Sequence, residues 1–286
     1  MKLYTSLENL KFKYNLPLIP SLVRRGKGWL LDLVFPRYCV GCQKELTLKQ
    51  DSLICESCFG EIILNSGVQC HICGLRISIP KASLNDCSVG QEHKRCRQKT
   101  PLKRLFAASQ YENPILKEMI HLFKYQSVES LKKPLAELII NYLKKENLTD
   151  KFSARKNNFI LVPIPLTLER KLSRGFNQSE LLAEEIGKFL NCPVINLLKR
   201  KKFTSPQAEI SDWQKRKENI SGAFCLNSNI PILSPKLLIY EINSLLKVKV
   251  ILVDDVATSG ATLEEAATVL KQAGIKEIYG LVIAKG

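Results

Sequence analysis

The feature that most constrains the fold is the alternation of apolar runs with amphipathic helical patterns that begins at Pro101. The apolar runs have the length of strands, and the segments between them repeat apolar residues every three or four positions, as a half-buried helix does. The predicted strands are "NFILVPIP", "KVKVILVDDV" and "EIYGLVIAKG", and the clearest predicted helices are "NQSELLAEEIGKFL" and "TLEEAATVLKQAG". This alternation predicts that residues 101–286 form an α/β domain with a mostly parallel sheet flanked by helices.

The two clearest helices carry end signals. Asn177 is placed to cap the first, with Glu180 three residues further on. Thr262 and Glu265 form a capping-box pattern at the start of the second helix, and Gly274 stands where that helix is expected to stop.

Residues 38–100 hold eight of the ten cysteines and little apolar periodicity, so we expect a module that is held together by something other than a core. Cys39 and Cys42 form one C-x-x-C turn, and Cys55 and Cys58 form another after twelve residues. Two such turns present four thiolates to one tetrahedral Zn²⁺. A redox pair or buried free thiols are the alternatives, and four matched cysteines disfavour both.

The remaining cysteines of this module are less regular. Cys70, Cys73, His93 and Cys96 predict a second zinc site of the Cys3His type, because the two-residue gap between His93 and Cys96 repeats the spacing of the turns. Cys87 is the alternative fourth ligand, and a site that binds nothing is a further alternative. Closed sites of this kind are structural, since four protein ligands leave no open position on the metal.

The net charge of +16 favours polyanionic partners such as nucleic acid or phosphorylated small molecules, although it also fits a composition that only keeps the protein soluble. Residues 1–37 form a basic lead-in. Its apolar run "WLLDLVF" is too short, and too interrupted by Asp32, for a membrane span or a signal peptide. Paired cysteines without a signal peptide predict a reduced, cytoplasmic location.

The stretch from Val250 to Thr262, "VILVDDVATSGAT", ends an apolar strand with two carboxylates and continues into a loop of small residues and a helix start. Free backbone N–H groups and the positive end of a helix dipole bind phosphate. Ionised Asp254 and Asp255 accept hydrogen bonds and suit a pair of sugar hydroxyls, so the stretch predicts a site for ribose 5-phosphate. A Mg²⁺-binding pair of receiver-domain type is the alternative. The candidate phosphate-binding positions are Ala257, Thr258, Ser259, Gly260, Ala261 and Thr262.

The same stretch resembles the phosphoribosyl-pyrophosphate (PRPP) signature of type I phosphoribosyltransferases. More narrowly, the chain from about Trp29 to Gly286 resembles the ComF family of competence-related proteins. The stretches that carry this resemblance are "LLDLVFPRYCVGC", "IHLFKYQ", "LVPIPLTLERKLSRGFNQSELLA", "TSPQ", "KRKENISGAF" and the signature itself. Ser259, where a second threonine is commoner, and His93, where a cysteine is usual, depart from the family pattern.

The resemblance implies a type I phosphoribosyltransferase-like domain preceded by a double zinc ribbon. It implies that Asp254 and Asp255 hold the ribose hydroxyls, and that the backbone from Ala257 through Thr262 binds the 5-phosphate. The residues implied to donate to the pyrophosphate are Arg170, Arg174 and Gln178, of which Arg174 joins the two aspartates as a catalytic residue. Arg216 and Asn219 are candidates on a segment that folds over the ligand, and His121 and Lys124 share a helix face that could point into the cleft.

Two functions follow from the resemblance. The first is Mg²⁺-dependent transfer of ribose 5-phosphate from PRPP to an unidentified nitrogen acceptor, in a protein linked to DNA uptake and natural transformation. The second is a non-catalytic competence protein whose zinc ribbons bind single-stranded DNA and whose PRPP fold is kept as a sensor or scaffold. Other DNA-uptake proteins are implied as partners in either case.

Overall fold

The computed structural model describes residues 37–47, 52–70, 76–77, 100–153, 158–201, 213–228 and 248–286. The chain divides into two compact units, Met1–Ile62 and Ile63–Gly286.

The second unit is built on a six-stranded sheet. Its strands are β1 (Val68–Gln69), β2 (Arg76–Ile77), β3 (Arg104–Gln110), β4 (Phe159–Pro163), β7 (Lys249–Ala257) and β8 (Glu277–Lys285). They lie side by side in the order β2–β1–β3–β8–β7–β4. β3, β8, β7 and β4 run parallel to one another, and β1 and β2 add an antiparallel edge next to β3. The predicted α/β class with a mostly parallel sheet flanked by helices is therefore confirmed.

Two further strands, β5 (Leu198–Arg200) and β6 (Phe224–Leu226), pair antiparallel with each other and form a separate small sheet, the β5–β6 ribbon. The register places Leu198 opposite Leu226 and Arg200 opposite Phe224. Both strands are three residues long, which is too short for a periodic pattern to reveal them in the sequence.

Eight helices occur in the described ranges. They are α1 (Glu56–Gly60), α2 (Pro114–Tyr125), α3 (Lys132–Lys145), α4 (Thr149–Phe152), α5 (Leu168–Arg174), α6 (Gln178–Leu190), α7 (Trp213–Ile220) and α8 (Ala261–Gln272), with a 3₁₀ turn at Glu129–Leu131. α2 begins where Asn113 accepts from the Leu116 amide and Pro114 fills the first helical position, which needs no N–H donor.

The predicted ends of α6 and α8 have different outcomes. Asn177 caps α6, as predicted, and Gly274 follows α8 with a positive φ of 98°. The Thr262–Glu265 capping box is wrong: α8 begins at Ala261, and its N-cap is Gly260, two residues before Thr262, with a φ of 77° that a residue with a Cβ rarely adopts. Glu265 instead accepts from the Gly222 amide at 2.8 Å.

Apolar side chains fill both faces of the sheet. On one face Phe106, Phe152, Phe159 and Tyr279 form an aromatic cluster with ring centroids 5.0 to 6.3 Å apart. On the other, residues of β4 and β7 share a buried cluster with α8 and the β5–β6 ribbon. Burial of these side chains stabilises the sheet by roughly 1.5–3 kcal/mol each, which gives the polar groups at its carboxyl edge a rigid base.

The segment from Ile63 to Gln69 is held on the edge of the sheet by polar contacts. The Asn65 side chain donates to the Ala107 carbonyl at 2.9 Å, and the Tyr142 hydroxyl donates to the Gly67 carbonyl at 2.6 Å. β1 then pairs with β3, with Gln69 opposite Leu105. The segment from Ile63 to Gln69 is thus part of the α/β unit.

Candidate functional site: a carboxylate pair at the end of β7 and a four-cysteine cluster

Asp254 and Asp255 lie near the carboxyl end of β7. Because successive side chains of a strand point to opposite faces of the sheet, the two carboxylates lie on opposite faces. Asp255 is buried, and its Oδ1 accepts from the Val256 amide at 2.6 Å and lies 2.9 Å from Nζ of Lys124 on α2. Asp254 is half-buried, and its Oδ1 accepts from the Ser179 hydroxyl on α6 at 2.8 Å and from the Asp255 amide at 2.9 Å. Each carboxylate is therefore anchored by a different helix.

The pair carries more negative charge than its one lysine neutralises. Burial acts to lower the pKa of Lys124, but Asp255 and then Asp254 hold that pKa above its ordinary value. Burial and then the charge of Asp255 raise the pKa of Asp254 to about 7, against the opposing effects of Lys124 and Ser179. Asp255 and Lys124 thus form an ion pair, and Asp254 exchanges a proton near neutral pH. A ligand that donates hydrogen bonds favours the ionised form of Asp254.

The first turn of α6 is fixed to the end of β4. The Asn177 side chain accepts from the Ser179 amide at 3.2 Å and donates to the Ile164 carbonyl at 3.1 Å, directly after β4. Asn177 therefore both caps α6 and connects the start of that helix to the end of β4. These contacts also place Ser179 within reach of Asp254.

The predicted pyrophosphate donors lie together on α5 and at the start of α6. Gln178 is buried, donates to the Phe123 carbonyl at 3.3 Å, and accepts from Nη1 of Arg174 at 3.1 Å. The Arg174 guanidinium also lies 5.3 Å from the centroid of the Tyr125 ring. The carboxamide of Gln178 is thus engaged by protein groups, and in this geometry it orients Arg174.

Arg170 lies one turn earlier, where its amide donates to the Thr167 hydroxyl at 3.3 Å. α5 contains no buried residue, and it ends at Gly175 with a positive φ of 80°. Its two arginines are half-buried.

The predicted phosphate-binding positions occupy the turn between β7 and α8. Ala257 ends β7, Thr258 and Ser259 are half-buried, and the Ser259 hydroxyl accepts from the Ala261 amide at 3.4 Å. Gly260 and Ala261 are buried at the N-terminus of α8, and Thr262 is half-buried in its first turn. A helix of twelve residues starts here, so its first amides point towards the turn.

Four sulfurs converge in the first unit. The Sγ atoms of Cys39, Cys42, Cys55 and Cys58 all lie within 4.8 Å of one another. The Cys55 sulfur is 3.6 Å from that of Cys39 and 3.8 Å from that of Cys42. Tetrahedral zinc with bonds of about 2.3 Å separates its sulfur ligands by about 3.8 Å. The cluster therefore fits Zn²⁺ in both donor type and spacing.

Backbone amides support thiolates in this cluster. The Cys55 amide donates to the Cys39 sulfur at 3.3 Å, and the Cys58 amide donates to the Cys55 sulfur at 3.5 Å. Burial acts to raise the pKa of Cys39, but amides of Cys55, Cys42 and Gly41 outweigh it and lower that pKa to about 7. Burial and the neighbouring sulfurs raise the pKa of Cys58. Four sulfurs this close ionise together only around a cation.

The second predicted zinc site remains a prediction. Cys70 is described and buried, whereas Cys73, His93 and Cys96, as well as the alternative ligand Cys87, lie outside the described residues. Asn219 is half-buried on α7, and the side chain of Arg216 on the same helix also lies outside the description.

Sequence reasoning missed some of the residues at the carboxyl edge. Ser179 was overlooked because a serine next to a cap residue is ordinary at a helix start. Helical spacing placed Lys124 and His121 on one face but did not show which of them reaches a carboxylate. In the structure it is Lys124; the His121 ring packs on Tyr125 at 5.2 Å, and its Nδ1 is buried without a hydrogen-bond partner in the described part of the chain.

Fold and site together define an α/β protein with a cysteine-rich zinc-binding module and a paired carboxylate at the edge of a parallel sheet. Residues 30–101 match the model of the double zinc ribbon domain. The chain is 31% identical over 229 residues to Competence protein ComFC of Bacillus subtilis, which covers 79% of this chain and 81% of that protein. The chain belongs to the ComF family.

Two other relatives match over most of their length. Competence protein F of Haemophilus influenzae is 27% identical over 249 residues, which cover 86% of this chain and 96% of that protein. DNA utilization protein YhgH of Escherichia coli is 27% identical over 233 residues, which cover 77% and 92%. Among the described residues, no helix combines the length and the apolar character that crossing a membrane requires.

Proposed function

We propose that the α/β unit has the fold of a type I phosphoribosyltransferase and binds PRPP at the carboxyl end of β7. The observation that carries this proposal is the anchoring of Asp254 and Asp255 from two different helices, directly before the turn that starts α8. A carboxylate pair beside a helix N-terminus matches a ligand with vicinal hydroxyls on one side and a phosphate on the other.

In this arrangement Asp254 and Asp255 accept from the ribose hydroxyls, and the backbone from Ala257 through Thr262 donates to the 5-phosphate. Arg174, oriented by Gln178, and Arg170 donate to the pyrophosphate. Guanidinium groups suit this task because they offer paired donors to phosphate oxygens. Mg²⁺, if bound together with the ligand, would neutralise charge on the pyrophosphate.

The reaction proposed is substitution at C1 of the ribose. The bond from C1 to the pyrophosphate oxygen breaks with both electrons on the pyrophosphate, and a nitrogen lone pair of the acceptor forms the new bond through an oxocarbenium-like transition state. The acceptor nitrogen then loses its proton to solvent water. The chain's own groups act by positioning and electrostatics: the carboxylates hold the sugar, and the arginines stabilise the charge that builds up on the departing group.

Isothermal titration of the full chain with PRPP and Mg²⁺ tests the site. We expect the wild type to bind, and the double variant Asp254→Asn, Asp255→Asn to lose at least about 100-fold in affinity, because two charged acceptors are removed. Glu184→Gln is the matched control, because it also replaces a carboxylate by an amide, at an exposed position of α6. Folding of the double variant is checked by circular dichroism.

Two results would argue against the proposal. A wild type that does not bind PRPP removes the ligand altogether. A folded double variant that binds PRPP like the control shows that the ligand is held somewhere other than at the two carboxylates.

A second function is supported by the names of the relatives, two of which refer to competence and one to DNA utilization. We propose that the protein takes part in DNA uptake in the cytoplasm together with other uptake proteins, and that its zinc ribbons and basic segments bind single-stranded DNA. The net charge of +16 supports a phosphate-backbone contact. In the non-catalytic form of this proposal the PRPP site acts as a sensor or scaffold.

DNA binding predicts a steep dependence on salt, since each phosphate contact releases counterions. The affinity of a labelled oligothymidylate should fall by at least about 100-fold between 50 and 200 mM salt if six or so phosphates are contacted. A flat response contradicts a basic footprint. Zinc removal separates the contribution of the ribbons, and the presence or absence of PRPP shows whether the two sites communicate.

A further inference from the structure

The C-terminal end of α2 holds the connection between α5 and α6. The Ser127 hydroxyl, two residues after α2, donates to the Arg174 carbonyl at 2.9 Å. The Phe123 carbonyl accepts from the Gln178 side chain at 3.3 Å. The Phe123 ring also lies 5.4 Å from the ring of Phe176, measured between the two centroids. One short stretch of chain therefore contacts the connection at both of its ends and in its middle.

Tyr125, the last residue of α2, contacts the side chain of Arg174. The guanidinium carbon of Arg174 lies 5.3 Å from the centroid of the Tyr125 ring, and its Nη1 donates to Gln178 Oε1 at 3.1 Å. The ring of His121, one turn earlier on α2, lies 5.2 Å from the Tyr125 ring and packs against it. A planar guanidinium that contacts a ring and bonds one nitrogen to an amide oxygen has a defined orientation. Gln178 uses one of its five N–H donors.

These contacts add little to the core. Tyr125 is 57% exposed, and α5, which carries Arg174, contains no buried residue. A contact between a cation and an exposed ring contributes little to the stability of a fold. Its larger effect is to reduce the rotamer freedom of the arginine. An arginine that is ordered before a ligand arrives does not lose that freedom when the ligand binds.

The same end of α2 reaches the carboxylate pair. Nζ of Lys124, the residue before Tyr125, lies 2.9 Å from Asp255 Oδ1. Two consecutive residues thus contact the carboxylate proposed for the ribose hydroxyls and the arginine proposed for the pyrophosphate. Because both contacts come from one helical turn, they fix Asp255 and Arg174 relative to each other. This arrangement suits a ligand whose sugar and pyrophosphate are covalently joined.

We propose that Tyr125 is a positioning residue: it holds the Arg174 guanidinium in the orientation in which Arg174 donates to the pyrophosphate of PRPP. This inference rests on the proposed function. It gives a role to a residue outside the set that contacts the ligand, and it requires that Tyr125 act through Arg174.

Isothermal titration with two probes, PRPP with Mg²⁺ and ribose 5-phosphate, tests this role. We expect Tyr125→Leu to weaken PRPP by about 3- to 10-fold, because a mobile arginine must be ordered when the ligand binds. Ribose 5-phosphate has no pyrophosphate, so its affinity should change by less than about twofold. Tyr125→Phe keeps the ring and should bind PRPP within about twofold of wild type. Circular dichroism checks that both variants are folded.

A double-mutant cycle separates positioning from direct contact with the ligand. Arg174→Gln removes the guanidinium, so in that background Tyr125→Leu should change PRPP affinity by less than about twofold. Phe189→Leu is the matched control: Phe189 on α6 is 43% exposed, and Nζ of Lys144 lies 5.1 Å from its ring centroid. This control should bind PRPP within about twofold of wild type.

The outcomes separate this inference from the proposed function. If the wild type does not bind PRPP, the proposed function fails and the role of Tyr125 fails with it. If the wild type binds PRPP and folded Tyr125→Leu binds it equally well, only the role of Tyr125 is wrong. That role also fails if Tyr125→Leu causes the same loss with and without the Arg174 guanidinium, or if it weakens both probes alike. A loss in Tyr125→Phe as large as in Tyr125→Leu would contradict a role for the ring.

Discussion

The four-cysteine cluster takes its ligands from residues 39 to 58, whereas the carboxylate site combines groups from α2, α6 and β7. Both regions gather acidic groups, but they neutralise them differently. The sulfurs need an external cation, and Asp255 is neutralised by Lys124 of the same chain. The cysteine module is therefore expected to depend on its metal for folding, and the carboxylate site to be formed before any ligand arrives.

Zinc removal should have the largest effect, and it should act on the cysteine module and not on the α/β unit. Chelation, or Cys58→Ser, should release the first zinc and unfold residues 37–62, because structural zinc supplies about 10–16 kcal/mol of apparent folding free energy. The α/β unit, whose core is apolar, should keep its helices and its amide protection. Hydrogen exchange read by mass spectrometry, together with zinc content per chain, measures both.

Cys225→Ser, a change to a half-buried thiol in the α/β unit, is the control and should release no metal. If Cys58→Ser retains the first zinc, or if amide protection is lost throughout both units, then zinc does not stabilise the cysteine module alone.

Asp255→Asn should have the next largest effect. It leaves the positive charge of the half-buried Lys124 without its partner, and removing one member of a buried ion pair costs up to about 3–5 kcal/mol. Urea unfolding of the α/β unit measures this loss. The double variant Lys124→Met, Asp255→Asn removes both charges and should recover most of the stability.

Equal instability of the single and double variants would mean that the ion pair does not account for the effect. In that case the carboxylate would matter through its contact with the Val256 amide at 2.6 Å.

The same contrast explains how far the sequence could predict each region. The spacing of Cys39, Cys42, Cys55 and Cys58 predicts the first cluster in full, because all four ligands lie within twenty residues and two turns. The strand that carries Asp254 was also predicted, since an apolar run defines it. Which helices anchor the two carboxylates was not predictable, because Lys124 and Ser179 reach them through tertiary packing of elements far apart in the chain.

Short elements limited the fold prediction in the same way. The class and the parallel sheet follow from strand and helix periodicity, but β1, β5 and β6 contain only two or three residues each. Such strands are determined by their partners, here β3 for β1 and the paired ribbon for the others.

Asp254→Asn should have a smaller effect, and its size should depend on pH. The pKa of Asp254 is raised to about 7 from an ordinary value of 3.8. At a pH between these two values, Asp254 is protonated in the folded chain and ionised in the unfolded chain. The stability contributed by this group is fully present below about pH 4 and is lost as the pH rises through about 7. The variant should therefore gain stability relative to wild type between pH 5 and pH 8, by at most about 4 kcal/mol.

Urea unfolding at pH 5, 6, 7 and 8 measures this difference, with Glu184→Gln as the pH-independent control. A difference that stays constant with pH, or that favours wild type at pH 8, would show that Asp254 is ionised throughout the range.

Ser179→Ala should have the smallest effect, because it removes one of the two hydrogen bonds to Asp254 Oδ1 while the Asp255 amide keeps the other. The α6 cap stays intact, since Asn177 accepts from the backbone amide of residue 179 and not from its side chain. We expect a loss of about 1–2 kcal/mol at pH 8, where Asp254 is ionised, and a smaller loss at pH 5. Ser173→Ala on exposed α5 is the matched control and should change stability by less than about 0.5 kcal/mol.

Ser179→Ala also tests whether the carboxylate site is formed before a ligand arrives, because it removes a group that positions Asp254 without removing the charge of Asp254. The hydroxyl also lowers the pKa of Asp254, so its removal should raise that pKa further and shift the pH dependence to higher pH. A loss of equal size at pH 5 and pH 8 would mean that Ser179 supports the packing of α6 alone. A loss confined to high pH means that α6 holds the carboxylate in its charged form before a sugar hydroxyl arrives.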